Sequence, residues 1–309
     1  MDHHQNFKLY NFHNVFLSLC NLVKKSEIPN SIIIDGMDGI GKRTFATHFI
    51  NYTFSLNEEK PYDIKNCEIN TMNRSYKLVL NNSHPNLYSI NLDEGKSSIS
   101  IEQIREMIKF ANKSSFNNQY KIILINKSEF LNKSSSNAIL KILEEPSANT
   151  IFLILQNSRK KNLKTIQSRC IKFHLKLDFN NVISTTNKIL NDEIYKHINP
   201  DLISYYNTPG QLINLLDFSK TNNLNLKTIS ITEFIALIKD KKLYLKNNFM
   251  KTNFNSFLEK YLLKLTIDTK KNKYFKLYDK FINMSNKTAL YNLDQETLYL
   301  NYKNNVLNG

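Results

Sequence analysis

The chain has no tryptophan, six glycines, six prolines and three cysteines in 309 residues, and only five of its 42 basic residues are arginines, at positions 43, 74, 105, 159 and 169. The cysteines, Cys20, Cys67 and Cys170, lie far apart and form neither a disulfide framework nor a C-x-x-C zinc pattern, so a reducing compartment is expected. No Pro- or Gly-rich stretch serves as a linker, and no internal repeat is present. No apolar run approaches the ~18 residues of a membrane span, and no basic N-terminal region leads into an uninterrupted apolar segment. The expectation is a soluble, cytoplasmic protein with no membrane partner. Acidic residues are scarce too: 27 against 42 basic residues leave a formal charge of +15.

That charge has two readings. A positive field attracts a polyanion such as nucleic acid, with counterion release driving the association. Alternatively, abundant Asn, Lys and Ile with few Arg are what codon bias in an AT-rich genome produces. Clustering bears on the choice: residues 226–309 hold 15 Lys and seven acidic residues, a net of +8.

The 41% hydrophobic content suffices for two or three domains with proper cores. Val15, Phe16, Leu19, Leu22 and Val23 share one helical face over residues 11–25. SIIID, 31–35, reads as a buried strand, and RTFATHFINYTF continues with helical periodicity. Between them stands GMDGIGKRT, 36–44. Gly36, Gly41 and Lys42 have the spacing of a phosphate-binding loop, G-x-x-x-x-G-K-[ST], and the strand-loop-helix context is the one that gives the match weight. Residues 55–85 are polar and read as an insertion. A helix is expected over 99–112, with Ser100 as N-cap. Buried strands are expected at 120–126 and 150–157, and a helix over 134–146 is stopped by Pro146. Strands that alternate with helices and read as continuous apolar runs imply a parallel sheet covered on both faces. Beyond residue 177 only helices are expected, and Phe254, Phe257, Leu258, Tyr261, Leu262 and Leu265 form one apolar stripe.

The loop departs from a working site in the residues around it. Backbone N–H groups at a helix N-terminus cradle phosphates, the Lys reaches the outer ones, and the next hydroxyl holds Mg²⁺. Gly36, Gly39, Gly41 and Lys42 keep the cradle, whereas Arg43 stands where the hydroxyl belongs. Thr44 does not replace it, because one helical residue turns a side chain by about 100°. Asn126 and Lys127 follow the strand IILI where an acidic pair would bind metal and activate water; Glu129 is the nearest carboxylate.

LKILEEP (140–146), TIFLILQNS (150–158) and TIQSRC (165–170), in that order, resemble the motif series of bacterial clamp-loader subunits of the AAA+ class. SHPNLYSI (83–90) and ISIEQIRE (99–106) are similar to elements of the delta-prime branch of that family. The resemblance covers residues 11–176 well, the following helices moderately and the last third by length and helicity. It implies an α/β AAA+ P-loop domain over 1–176, a small helical lid over 177–225 and a helical collar over 226–309. It also implies that Gly210, in NTPGQL, takes the place of an Arg that senses the γ-phosphate in active relatives. Arg169, with Ser168 beside it, corresponds to an arginine finger acting in trans on a neighbouring ATPase subunit, unless it pairs with a nearby acid of its own chain. Asn157 falls where relatives keep a polar sensor and is otherwise a turn residue; Glu144 and Glu145 fall in an interface element that is otherwise a plain helix end. The partners implied are gamma/tau-type motor subunits, a delta subunit and, through the complex, primed DNA. Many relatives carry a four-cysteine zinc knuckle where this chain has Cys67 alone, with His84 further on, so no zinc is implied. No cofactor is required by this reading, in which ATP hydrolysis is not expected and ATP binding is left open. The alternative is an active P-loop ATPase, a motor subunit with an atypical metal site. His3 and His4 carry no site.

Overall fold

A computed structural model describes residues 6–159 and 164–291; His3, His4 and residues 292–309 of the expected collar lie outside them. The elements are α1 (His13–Lys24), β1 (Ser31–Gly36), α2 (Lys42–Ser55), α3 (Arg74–Leu80), β2 (Leu87–Ile90), α4 (Ile101–Ala111), β3 (Lys121–Ile125), α5 (Lys133–Glu144), β4 (Thr150–Asn157), α6 (Lys164–Gln167), β5 (Ile171–Leu175) and α7 (Phe179–Leu190), followed by α8 (Pro209–Thr221), α9 (Ile231–Asp240), α10 (Leu243–Lys246), α11 (Asn248–Thr269) and α12 (Asn272–Tyr291). Two compact units divide the chain: the first runs through Asn191 and includes Thr208–Gln211, and the second holds Asp192–Asn207 and everything from Leu212 on.

The first unit is built on one parallel sheet of five strands in the order β2-β3-β4-β1-β5. Strand periodicity sends alternate residues to opposite faces, and here both faces are apolar. Ile32 and Ile34 of β1 join Leu153 and Leu155 of β4 under Phe16 and Leu19 of α1 and Phe45 and Phe49 of α2. Ile33, Phe152 and Ile154 face the other way, onto Ile104 and Met107 of α4, Ile139 and Leu143 of α5 and Ile166 of α6. Each such side chain contributes about 1.5–3 kcal/mol on burial, so β1, β3 and β4 are fixed in the middle of the molecule's first unit by composition alone. Ser100 caps α4 in a reciprocal capping box with Gln103, as its position before the apolar run predicts.

Two strands went unread in the sequence. β2 and β5 are the sheet edges, only partly buried, and in β5 the exposed Lys172 and His174 interrupt the apolar run. The polar stretch 55–85 is also partly core: Tyr62, Ile69 and Tyr76 are buried, and α3 lies within it.

The second unit is helical. Phe234 of α9 and Phe257 of α11 meet with ring centroids 5.0 Å apart. Met250, Phe254, Phe257, Leu258 and Leu262 form the buried stripe of α11, and Lys264 of that helix pairs with Asp201 at 2.6 Å.

Candidate functional site

β1 delivers Gly36 between Asn157 of β4 and Leu175 of β5. A Cβ on Gly36 would stand 2.9 Å from the Leu175 carbonyl oxygen, so the close approach of β5 calls for glycine. Gly39 and Gly41 take φ of +75° and +105°, the left-handed region that other residues adopt only with strain. These dihedrals turn the chain from strand into α2, whose first residue is Lys42. The Lys42 ammonium donates back to its own loop, to the carbonyls of Gly36 at 2.8 Å and Met37 at 2.9 Å. Burial lowers its pKa, and the carboxylates of Asp38, Glu129 and Asp35 oppose that shift. Arg43 is exposed on the first turn of α2, and Thr44 beside it is half-buried.

Thr208–Gln211 meets the loop from the other side, within the same unit. The Thr208 hydroxyl donates to the Asp38 carbonyl at 2.8 Å, and the Gly210 N–H donates to the Gly39 carbonyl at 2.9 Å. A Cβ on Gly210 would fall 2.8 Å from both the Cα and the carbonyl oxygen of Gly39. An arginine side chain has no room to start from this position, so Gly210 is tied to the backbone contact it makes.

At the end of β3, Asn126 donates to the Asn91 side-chain oxygen at 3.2 Å, and Lys127 sits exposed at a φ of 53°. The short turn Ser128–Phe130 then brings the half-buried Glu129 toward β4, where its carboxylate accepts the Asn157 N–H at 3.1 Å. The charge of Glu129 reaches Lys42, which sequence spacing alone did not reveal. The Asn157 side-chain oxygen accepts the Arg159 N–H at 3.0 Å in the turn after β4.

A second feature was missed with β5. Asp35, immediately before Gly36, is 2% exposed, and its carboxylate gathers Gln156 Nε2 at 2.8 Å, His174 Nδ1 at 2.7 Å and Lys172 Nζ at 3.3 Å. Burial alone would raise its pKa, but the donors from Gln156, His174 and Lys172 outweigh it and hold the carboxyl below the usual range. Alternation of Lys172 and His174 on a strand beside Asp35 was the available signal, legible only once β5 was known to pair with β1.

Ser168, Arg169 and Cys170 lie in the turn between α6 and β5. The Ser168 and Arg169 N–H groups donate to the carbonyls of Lys164 and Ile166, which prolongs the helical turn. Arg169 Nε donates to Glu144 Oε1 at 2.6 Å, Nη2 reaches the same oxygen, and Nη1 donates to the Thr165 carbonyl at 2.8 Å. The pairing with an acid of its own chain, one of the two readings of Arg169, is therefore present. The Ser168 hydroxyl donates to the Thr165 carbonyl at 3.0 Å. Burial pushes the Cys170 thiol up to about 11, which leaves little thiolate at neutral pH. Among the described residues, no three His, Cys, Asp or Glu side chains gather into a metal-binding set.

Residues 13–178, just over half the chain, match the family model for DNA polymerase III, delta subunit. The chain belongs to this family. The delta-prime subunit of DNA polymerase III from Pseudomonas aeruginosa is 26% identical over 148 residues, 48% of this chain and 43% of its own. The tau subunit from Salmonella typhimurium is 28% identical over 185 residues, 60% of this chain and 27% of its own. The chain thus spans less than half the length of these relatives. A solved chain, a DNA polymerase III gamma-subunit-related protein of Thermotoga maritima, aligns with 93% of this chain and 96% of its own at 14% identity and a TM-score of 0.47. The family member described here is of delta-prime type, with a parallel α/β domain whose first strand leads through a glycine loop into a helix, and a helical C-terminal region.

Proposed function

We propose that the chain is a non-hydrolysing subunit of the replicative clamp loader. It supports ATP-dependent placement of the sliding clamp on primed DNA, in a ring with gamma/tau-type motor subunits and a delta subunit, and supplies Arg169 to the ATP site of a neighbouring motor. The division into a P-loop domain at 1–176, a lid at 177–225 and a collar at 226–309 belongs to this reading. So does the absence of a zinc requirement.

The observation that carries it is the contact of Gly210 with Gly39. Where an active relative needs a γ-phosphate-sensing Arg, this chain packs backbone on backbone: the Gly210 N–H donates to the Gly39 carbonyl at 2.9 Å, and a Cβ on Gly210 would have no room. Arg43 in place of the Mg²⁺ hydroxyl and Asn126–Lys127 in place of the acidic pair support the same conclusion from two further positions. The cradle of Gly36, Gly39, Gly41 and Lys42 is then a strand-to-helix turn that binds nucleotide without turning it over, or does not bind it at all. A guanidinium delivered in trans stabilises charge developing on the γ-phosphate, which gives Arg169 a role that needs no active site in its own chain.

Glu129 favours a second reading, an ATPase with an atypical metal site, because its carboxylate lies within electrostatic reach of Lys42. ATP turnover by the purified protein separates the two. The expected result is none above background; turnover that Lys42→Ala abolishes would establish the second reading.

A further inference from the structure

The Arg169 guanidinium is engaged by its own chain on every nitrogen. Nε and Nη2 share Glu144 Oε1, and Nη1 takes the Thr165 carbonyl and, at 3.4 Å, the Ser168 hydroxyl. Glu144 is the last residue of α5 and Glu145 is its C-cap. Two carboxylates at that end oppose the helix dipole, which favours cations there, and a guanidinium at Glu144 offsets the mismatch. We infer that Glu144 is a positioning residue that parks Arg169 on its own subunit, so that the arginine is released to a neighbour's nucleotide only when a stronger anion competes for it. This rests on the reading of Arg169 as a finger.

The strength of the hold follows from its exposure. The side chains are 31% and 47% exposed for Arg169 and Glu144. Water screens such a pair, and exposed ion pairs bias an equilibrium by at most about fivefold. A nucleotide phosphate carries more charge and presents oxygens to which the planar guanidinium binds through two parallel hydrogen bonds. Exchange of Glu144 for phosphate is therefore downhill once subunits meet, while a free subunit keeps its arginine folded away. A partner that engages only the released state binds more weakly by the fraction of time the arginine is free. The parked state should thus appear in the apparent affinity of the complex for ATP, and not in its turnover at saturation.

The experiment reconstitutes the clamp-loader complex with full-length wild type, Glu144→Gln, Glu144→Ala, Arg169→Ala and the Glu144→Gln/Arg169→Ala double variant, and measures ATPase KM and kcat. Gln keeps the size of Glu and removes a charge that α5 disfavours, and a thermal melt checks that each variant is folded. Glu144→Gln and Glu144→Ala are expected to lower KM for ATP two- to fivefold at unchanged kcat, Arg169→Ala to lower kcat, and the double variant to match Arg169→Ala. Wild-type KM in both Glu144 variants beside an impaired Arg169→Ala overturns the parking role and leaves the finger standing. A fall in kcat in the Glu144 variants also overturns it, because Glu144 would then assist the finger. Unchanged kinetics in Arg169→Ala remove the finger and with it the parking role.

Discussion

Two devices suited to phosphate lie in the first unit, and the chain restrains them differently. The glycine loop after β1 is held by main chain: Gly39 meets Gly210 through a hydrogen bond and a contact that no side chain can enter, and Lys42 is turned onto two loop carbonyls. The arginine before β5 is held by one exposed carboxylate and the turn it belongs to. Main-chain packing of this kind changes only if a segment moves, whereas an exposed ion pair exchanges partners by side-chain rotation. The loop is thereby fitted to a fixed role and the arginine to a mobile one.

The largest effect expected from breaking this contrast is at the mobile end. If Arg169 acts as the proposed finger, Arg169→Ala should leave the fold intact and slow hydrolysis at the neighbouring motor site by ~10³-fold in single-turnover assays of the reconstituted complex. An unchanged rate would make the Glu144 pair the whole role of the arginine.

Next comes acid. His48 lies on α2, the helix that begins with Lys42. Its Nε2 donates to the Asn6 carbonyl at 2.9 Å, which leaves Nδ1 to accept the Tyr62 hydroxyl at 2.8 Å, a neutral arrangement. Burial lowers its pKa to about 4, and burial does the same for His84, stacked on Phe54 at 3.9 Å. In the unfolded chain a His titrates near about 6.5, so on acidification the unfolded state takes up protons first. The contribution of each is complete above that pH and is lost as pH falls toward about 4, on the order of 3 kcal/mol for His48. Asp35, whose folded pKa is also depressed, acts in a lower window: its contribution is lost only as pH drops below the unfolded value of about 3.9. Urea midpoints between pH 7 and 4 should therefore fall mainly through the histidine window. A flat profile there would mean that the histidines are accessible in solution.

A smaller effect sharpens the fixed end. Gly39→Ala adds left-handed strain and places a Cβ 2.5 Å from the Thr208 hydroxyl, while Gly41→Ala adds strain with no neighbour within 4 Å. The first should cost about 2–3 kcal/mol and the second about 1 kcal/mol in chemical denaturation. Equal losses would show that the Thr208–Gln211 contact adds nothing to the loop. The Glu144→Gln shift in KM is the smallest of these effects.

The central strands and their covering helices were legible because β1, β3 and β4 are apolar on both faces, and such runs fit few other environments. Ser100 was legible because a capping box is local chemistry. β2 and β5 were not, since an edge strand is half solvated and its pattern is broken by residues such as Lys172 and His174. The site divided along the same line. Gly36, Gly39, Gly41 and Lys42 are contiguous and could be read as one loop, and Ser168 and Arg169 as one motif. Glu129 could be read only as the nearest carboxylate, and a short turn carries that carboxylate to the N–H of Asn157. Asp35 had no visible partners until β4 and β5 were placed on either side of it.

By itself the sequence determined the α/β class, the phosphate-loop geometry and the order of motifs that assigns the family, because spacing and periodicity are properties of neighbouring residues. Tertiary structure decided which anion or cation each polar group faces. Gly39 and Gly210 are far apart along the chain, as are Arg169 and Glu144, and only folding sets a carbonyl against one glycine and a carboxylate against the guanidinium. Charge and hydrogen bonding act over a few ångströms of space, so the partners that restrain a functional group become visible only when the strands between them are in register.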